Sequence, residues 1–310
     1  MANQTILTEL FLSGISDLPA LELPFFLLFL HIYSMTLIGN FLIILLVAID
    51  SHLHTPMYFF LGNLAFLDMC SSSLTTPRML FDLITNNRKI SITACLTQVF
   101  FFIFMATTEI LLLAVMSYDR YIAICRPLHY VQIMHWKTCI QLAAGVWALS
   151  LVYSLAHILI TLRLTFCDLN IVQSFFCDLS KLFQISCTDV FINLLFIFLL
   201  GGLFGLVLLL MTFIPYITVF LTVMKIKEKE KRFKAFSTCS SHLTVVFIFY
   251  GTIVFNYFRP TTGYHFAADR VVSVCYTTIT PLINPLIYSL RNNELKTALK
   301  RIYKIIFFSK

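Results

Sequence analysis

Two carboxylates, Asp68 and Glu109, sit deep inside long uncharged stretches, and a third, Asp119, closes another such stretch within Asp119-Arg120-Tyr121. An ionisable group held that deep in apolar sequence costs several kcal/mol unless it is paired, neutralised or functional. The chemistry open to Asp68 and Glu109 is capture of a cation or proton, or hydrogen bonding in the protonated form. Hydrolytic and nucleophilic chemistry finds no support. His31 and His157 are isolated in apolar runs, and neither His-Glu-x-x-His nor Gly-x-Ser-x-Gly occurs. The chain is therefore expected not to be an enzyme.

The elements that must position these groups follow from composition. Hydrophobic residues make up 59% of the 310 and charged residues 12%, against roughly 25% charge in a soluble domain. The chain reads as a membrane protein whose first partner is the lipid bilayer, with no nucleic-acid role. A hydrocarbon core of about 30 Å takes about 20 residues of helix. Seven runs of that size occur near Phe25–Ile49, Met57–Thr76, Gln98–Tyr118, Thr138–Thr161, Val190–Met224, Phe236–Phe258 and Val271–Leu290. The expected fold is an all-α seven-transmembrane helix bundle forming one domain over 1–310, with an N-terminal segment 1–24, a bundle 25–290 and a tail 291–310. The first twenty residues lack a basic start and carry Glu9 and Asp17, so no cleavable signal is expected.

Orientation follows from basic residues, which are retained on the cytoplasmic side. With the N-terminus outside, the inner segments hold Arg120, Arg126, Lys137, six Lys/Arg between Lys225 and Lys234, and six after Leu290, leaving seven of the 22 outside. This predicts an extracellular N-terminus and a cytoplasmic C-terminus. It also places the sequon Asn3-Gln4-Thr5 where Asn3 can be glycosylated. The fifth run is long enough, at roughly 50 Å of helix, to project into the cytoplasm. After Leu290, Leu295, Leu299, Ile302 and Ile306 recur at helical spacing, opposite Lys296, Lys300, Arg301 and Lys304. That pattern predicts a short amphipathic helix on the cytoplasmic membrane surface.

Asn40, Asp68 and Glu109 each lie about 14 to 16 Å above the inner boundary of their spans at 1.5 Å per residue, with Asn284 somewhat lower. A buried polar cluster of these residues is expected. Two readings stay open: a switch that binds a cation or proton in one state, and a structural knot of protonated carboxyls. Four cysteines, Cys95, Cys167, Cys177 and Cys187, fall in outer segments, where disulfides form. Their spacings allow three pairings, do not choose among them, and do not suit a metal site.

Five blocks carry a family resemblance: LHTPMYFFLGNLAFLDMC from Leu53 to Cys70, MSYDRYIAIC from Met116 to Cys125, KAFSTCSSHL from Lys234 to Leu243, FYGT from Phe249 to Thr252, and PLINPLIYSLRN from Pro281 to Asn292. Together they resemble the tetrapod-type (class II) olfactory receptors of the rhodopsin-like G-protein-coupled receptors. The resemblance implies disulfides Cys95–Cys177 and Cys167–Cys187. It implies a sodium ion as the possible cofactor, at Asn40, Asp68 and Glu109. For activation it implies Asp119, Arg120 and Tyr121, with Arg120 paired to Asp119 at rest. Asn284 and Pro285 would supply a hinge, and Tyr216 and Tyr288 would swing inward to meet Arg120. One departure is Pro215 before Tyr216, where the family usually has Ser.

For the ligand, the resemblance implies a pocket in the outer half of the bundle. Phe102, Ile103, Ala106 and Thr107 share one face of the third span. Phe204, Ile253, Val254, Tyr257, Thr277 and Thr278 would face them, above Tyr250, which stands where most rhodopsin-like receptors carry Trp. No carboxylate lies in the outer half of any span, and Phe102 occupies the place of the aspartate of amine receptors. The expected ligand is a small, volatile, mostly apolar organic molecule, with Tyr257, Thr107 or Thr277 able to bond one polar group. The implied partner is a heterotrimeric G protein of the stimulatory, olfactory type, acting through cyclic AMP at the plasma membrane. A non-olfactory chemosensory receptor is the alternative. A transporter or channel is disfavoured, since there is no internal repeat and no Gly/Pro-broken helix pair in matching halves.

Overall fold

A computed structural model describes residues 8–16, 18–166, 170–257 and 266–308, except the side chains at 231, 233–238, 241, 253–257, 266–269, 289–291, 293 and 302–308. Its long helices are α1 (Glu22–Ile49), α2 (Pro56–Thr85), α3 (Ile92–Cys125), α4 (Trp136–Thr161), α5 (Phe191–Met224), α6 (Lys229–Tyr257) and α7 (266–291). The tail forms α8 (Asn293–Phe308). Five stretches of helix among the described residues are long and apolar enough to cross a bilayer, lying in α1, α3, α4, α5 and α7.

The helices exceed the apolar runs because their ends are set by hydrogen bonds and not by the bilayer edge. Ser91 caps α3 by accepting from the Ala94 N–H at 3.2 Å, which starts that helix six residues before Gln98. Helix α2 continues through Pro77 to Thr85 and stops at Asn86, whose left-handed φ of 51° an asparagine tolerates. Helix α5 holds a π-helical segment, Ile197–Leu203, between two α-helical pieces. A second π segment, Cys275–Ile279, interrupts α7.

Helix α3 lies at the centre and packs on α2, α4, α5 and α6. A continuous apolar core joins Ile43, Leu64, Leu112, Val219, Val245 and Leu295. Helix α5 turns most of its leucines outward, as in Leu199, Leu203, Leu206, Leu210 and Leu221. In water such a face would aggregate, whereas in lipid it is the solvated one.

The end of the bundle opposite Arg120 carries a three-stranded sheet. Strand β1 (Glu9–Leu12) lies between β2 (Lys89–Ser91), antiparallel with Glu9 opposite Ser91, and β3 (Ile171–Val172), parallel with Phe11 opposite Ile171. Leu10 and Leu12 point inward with period two, onto a cluster around Cys95 and Val172. Gly14 ends the strand at φ +76°, where a Cβ would stand 2.9 Å from the Arg88 guanidinium carbon. This sheet adds to the all-α expectation for 1–24. Asn3 lies outside the described residues.

At the Arg120 end, α8 is strapped to the bundle. Leu295 and Ala298 are buried, and the Tyr58 hydroxyl donates to Asn292 Oδ1 at 3.0 Å and Glu294 Oε2 at 2.8 Å. Leu299, expected on the apolar face, is exposed. Arg301 Nη1 lies 3.3 Å from Asp50 Oδ1, which also accepts from the His52 backbone N–H at 3.0 Å and meets the His52 ring at 2.8 Å. Burial pushes the Asp50 carboxyl up, but the His52 bonds and the Arg301 charge outweigh it and hold it below the usual 3.8. A depressed carboxylate stabilises above its unfolded pKa and loses that contribution as pH falls through its folded value. The strap is therefore intact near neutral pH and released only in acid below the ordinary carboxylate range. A nitroxide at residue 299 should be immobile near neutral pH, mobile in strong acid, and already mobile near neutral pH in Asp50→Asn. Unchanged mobility in that variant would refute the strap.

Candidate functional site

The polar core is built on proline. Pro285 has no N–H to give the carbonyl four residues back, so Pro281 O is freed inside the bundle. Asn40 of α1 takes it: Nδ2 donates to Pro281 O at 3.0 Å and to Thr36 O at 3.0 Å. Gly39 faces the same proline, and a Cβ there would just touch the Pro285 ring at 3.4 Å. One residue before the proline, Asn284 Nδ2 donates to both carboxylate oxygens of Asp68 at 3.1 Å, and it also reaches Glu109. Of the expected cluster, Asn284 joins Asp68 and Glu109, while Asn40 meets the same helix one turn away at Pro281, every member buried.

Two oxygens of that cluster, Asn40 Oδ1 and Glu109 Oε1, are buried without a hydrogen-bond partner. With the Asp68 carboxylate these donors are all oxygen, the chemistry of a hard cation and not of a thiophilic metal. Among the described residues, no three or more His, Cys, Asp or Glu side chains group as a metal site.

Near the other end of α3, Arg120 folds back on its neighbour. Its Nε donates to Asp119 Oδ2 at 2.9 Å and its Nη2 to the same oxygen. Asp119 Oδ1 accepts from the Tyr130 hydroxyl at 2.9 Å. Burial first, then the Asp119 charge, pushes the Tyr130 hydroxyl up, so it stays a donor. The Asp119 side chain is fully buried and that of Arg120 is 12% exposed, so this is a desolvated pair and not a surface one. Tyr121 is half-buried, its ring 6.4 Å from that of Tyr118. Tyr216 and Tyr288 are both buried with hydroxyls that have no partner among the described residues. Pro215 leaves α5 continuous, and the Tyr216 ring packs 5.6 Å from that of His242.

The expected ligand residues divide into groups. Phe102 packs between Phe176 and Tyr276, with ring centres 5.5 and 5.6 Å away. Ile103 joins the cluster beneath the sheet, Ala106 is half-buried and Thr107 is buried. Thr277 and Thr278 are buried with hydroxyls 3.3 Å apart, and Thr277 donates to Ser273 O at 2.7 Å. Tyr250 is paired with Thr212 at 3.1 Å. Phe204 stacks on Tyr153 of α4 at 5.1 Å. The side chains of Ile253, Val254 and Tyr257 lie outside the described residues.

Above them, Cys95 and Cys177 are bonded, with Cα atoms 5.4 Å apart across 82 residues. Cys187 is also disulfide-bonded, and its expected partner Cys167 lies outside the described residues. Gln98 locks the loop down further: its Oε1 accepts from the Cys177 N–H at 2.9 Å while its Nε2 donates to Leu74 O at 3.1 Å. Sequence reading missed Gln98, Tyr130 and His242. Only the polarity of Gln98 and of His242 inside apolar sequence could have flagged them.

A family model described as olfactory receptor matches residues 29–305. The chain is 45% identical over 300 residues to olfactory receptor-like protein COR4 of Gallus gallus, covering 97% of this chain and 96% of that one. It is 46% identical over 301 residues to olfactory receptor 5B12 of Homo sapiens, covering 97% and 96%. The crystal structure of squid rhodopsin superposes with a TM-score of 0.67 at 18% identity, over 94% of this chain and 87% of that one. That last likeness speaks for the fold alone.

Removing one partner of a desolvated ion pair strands the other charge, at a cost of about 3–5 kcal/mol. Asp119→Ala should therefore lower the melting temperature of the detergent-solubilised protein sharply. The double variant Asp119→Ala/Arg120→Ala should recover much of that loss, since no charge is left stranded. Additive losses in the three variants would show that the pair is not coupled.

Proposed function

The chain belongs to the olfactory receptor family, and we propose that it binds a small, mostly apolar organic odorant and activates a G protein of the stimulatory type, raising cyclic AMP. The observation that carries this reading is the Asp119–Arg120–Tyr130 clamp, set below two tyrosines whose hydroxyls are buried and unspent. A buried hydroxyl with no partner is an unstable ending unless a second arrangement satisfies it. Release of Arg120 from Asp119 offers that arrangement, with Tyr216 and Tyr288 turning toward the freed guanidinium.

Ligand bound near the disulfide end then acts by differential affinity, favouring the packing in which the clamp is open. Asn284, Pro285 and Tyr288 lie on one helix, so repacking around Asp68 reaches Tyr288 within a single turn. A sodium ion on Asp68, with Asn40 and Glu109 as further oxygen ligands, would favour the closed packing. The excess of Lys and Arg around Lys225–Lys234 and after Leu290 supports a cytoplasmic Arg120 end and an extracellular N-terminus. Glycosylation at Asn3 follows from that orientation.

In cells carrying a cyclic-AMP reporter, a panel of volatile alcohols, aldehydes, ketones and esters should evoke responses from the wild type. Arg120→Ala should abolish them at equal surface expression. Responses indifferent to that substitution, or a ligand-evoked current persisting without any G protein, would exclude the reading. A cysteine placed at residues 225–234 should react with an impermeant thiol reagent only after the cells are opened. Labelling of intact cells would reverse the topology.

A further inference from the structure

We propose that His157 of α4 is the polar anchor of the ligand site, taking the oxygen of an alcohol or carbonyl compound, with the carbon chain held in an aromatic cleft between α4 and α5. This rests on the reading of the chain as an odorant receptor. His157 is 5% exposed and its Nε2 is buried with no hydrogen-bond partner among the described residues. Buried ring nitrogens are ordinarily satisfied, and one that is not marks a place where something else supplies the bond. Of the polar groups expected near the ligand, Thr277 already donates to Ser273 O and Tyr250 is paired with Thr212.

The walls around this nitrogen are aromatic. Tyr153, one turn earlier on α4, lies 4.6 Å from the His157 ring, Phe196 of α5 lies 5.1 Å from it edge-on, and Phe204 stacks on Tyr153 at 5.1 Å. Between Phe196 and Phe204, α5 takes the π-helical form over Ile197–Leu203. Such a segment is rare and recurs at functional sites. It contains Gly201, where a Cβ would come to 3.5 Å from the Tyr153 hydroxyl, so the absent side chain keeps space open in front of α4. His157 stands four residues before the end of α4, about 6 Å of helix, which places it near the disulfide end of the bundle.

The chemistry selects the ligand. A neutral imidazole nitrogen either donates or accepts according to tautomer. A hydroxyl or a carbonyl therefore both fit, whereas a hydrocarbon leaves the nitrogen unpaired. The rings of Phe196, Tyr153 and Phe204 offer an apolar wall to a chain of odorant size.

The test uses the full receptor in detergent, with 1-octanol, 2-octanone and n-octane as probes and thermal stabilisation as readout. The two oxygenated probes should stabilise the wild type at lower concentration than octane does. His157→Phe keeps an aromatic ring and should demand about tenfold more of either oxygenated probe, the weight of one lost hydrogen bond to a buried group, while leaving octane unchanged. His157→Gln should restore most of the difference. Gly201→Val, which fills the cleft without touching His157, should weaken all three probes and guards against misfolding at position 157.

Equal stabilisation of wild type and His157→Phe by octanol, or no advantage of octanol over octane, overturns the proposal. Guanine-nucleotide exchange on a stimulatory G protein is measured separately. His157-dependent binding without exchange supports the anchor and sinks the odorant-receptor reading. Exchange driven by octanol equally in wild type and His157→Phe does the reverse.

Discussion

Lipid offers no hydrogen bonds, so a carbonyl freed inside a membrane helix must be met by the protein itself. This chain places a proline inside α2, α5 and α7, at Pro77, Pro215 and Pro285. At Pro285 the freed carbonyl itself is met, by Asn40 at Pro281 O, and at Pro77 and Pro215 the carbonyl one residue nearer the proline receives a donor from a neighbouring helix: Gln98 to Leu74 O and Ser117 to Thr212 O at 2.6 Å. Two of the three donors come from α3. Their bonds fix the rotation and depth of α2 and α5 against it, which nonspecific packing of leucines would leave free to slide. The central position of α3 is therefore enforced by polar bonds as well as by volume.

That arrangement explains why the pair at Asp119 and Arg120 can be both buried and releasable. Neighbours in sequence need no tertiary structure to meet, so the clamp forms wherever α3 carries it, and its cost is the desolvation of both groups. Tyr130 offsets part of that cost by occupying the second carboxylate oxygen. What makes the pair conditional is its surroundings. Tyr216, Tyr288 and both nitrogens of His242 are buried without partners. On the proposed reading, so many unspent donors and acceptors would bring a closed packing and an open one close enough in free energy for a ligand to reverse their order.

Much of this was legible in the sequence. Each apolar run falls within or nearly within one long helix, because burial in lipid is a property of composition summed over about 20 residues. The meeting of Asp68 with Asn284 was legible because a helix converts residue counts into ångströms. The sheet was not legible. Glu9–Leu12 alternates over only four residues, and its partners lie at Lys89–Ser91 and Ile171–Val172, too short and too distant for local periodicity to register. Helix ends such as Ser91 and Asn86 depend on single caps, which hydropathy does not weigh. The π segment of α5 is invisible for the same reason: Ile197–Leu203 is as apolar in one helical form as in another. His157 was seen as isolated, and in sequence it is. Its aromatic neighbours come from α5 as well as from its own helix.

The hinge at Pro285 is narrower than a proline alone would make it. Just above it, Pro281 is tied to α1 through Asn40, and Asn284 is tied to α2 through Asp68. At the far side, α7 ends at Arg291 and α8 begins at Asn293, with Asn292 between them bonded to Tyr58 and Arg301 bonded to Asp50. Both ends of the segment from Pro285 to Arg291 are thus anchored to α1, α2 or the turn between them. A piece of helix fixed at its two ends cannot swing as a lever; it rotates about its own axis or shifts within its length. Tyr288 sits at the middle of that piece, where axial rotation carries a side chain furthest relative to its neighbours. The same anchors that limit the hinge therefore concentrate its motion on a tyrosine whose hydroxyl, like that of Tyr216, has nothing to bond among the described residues.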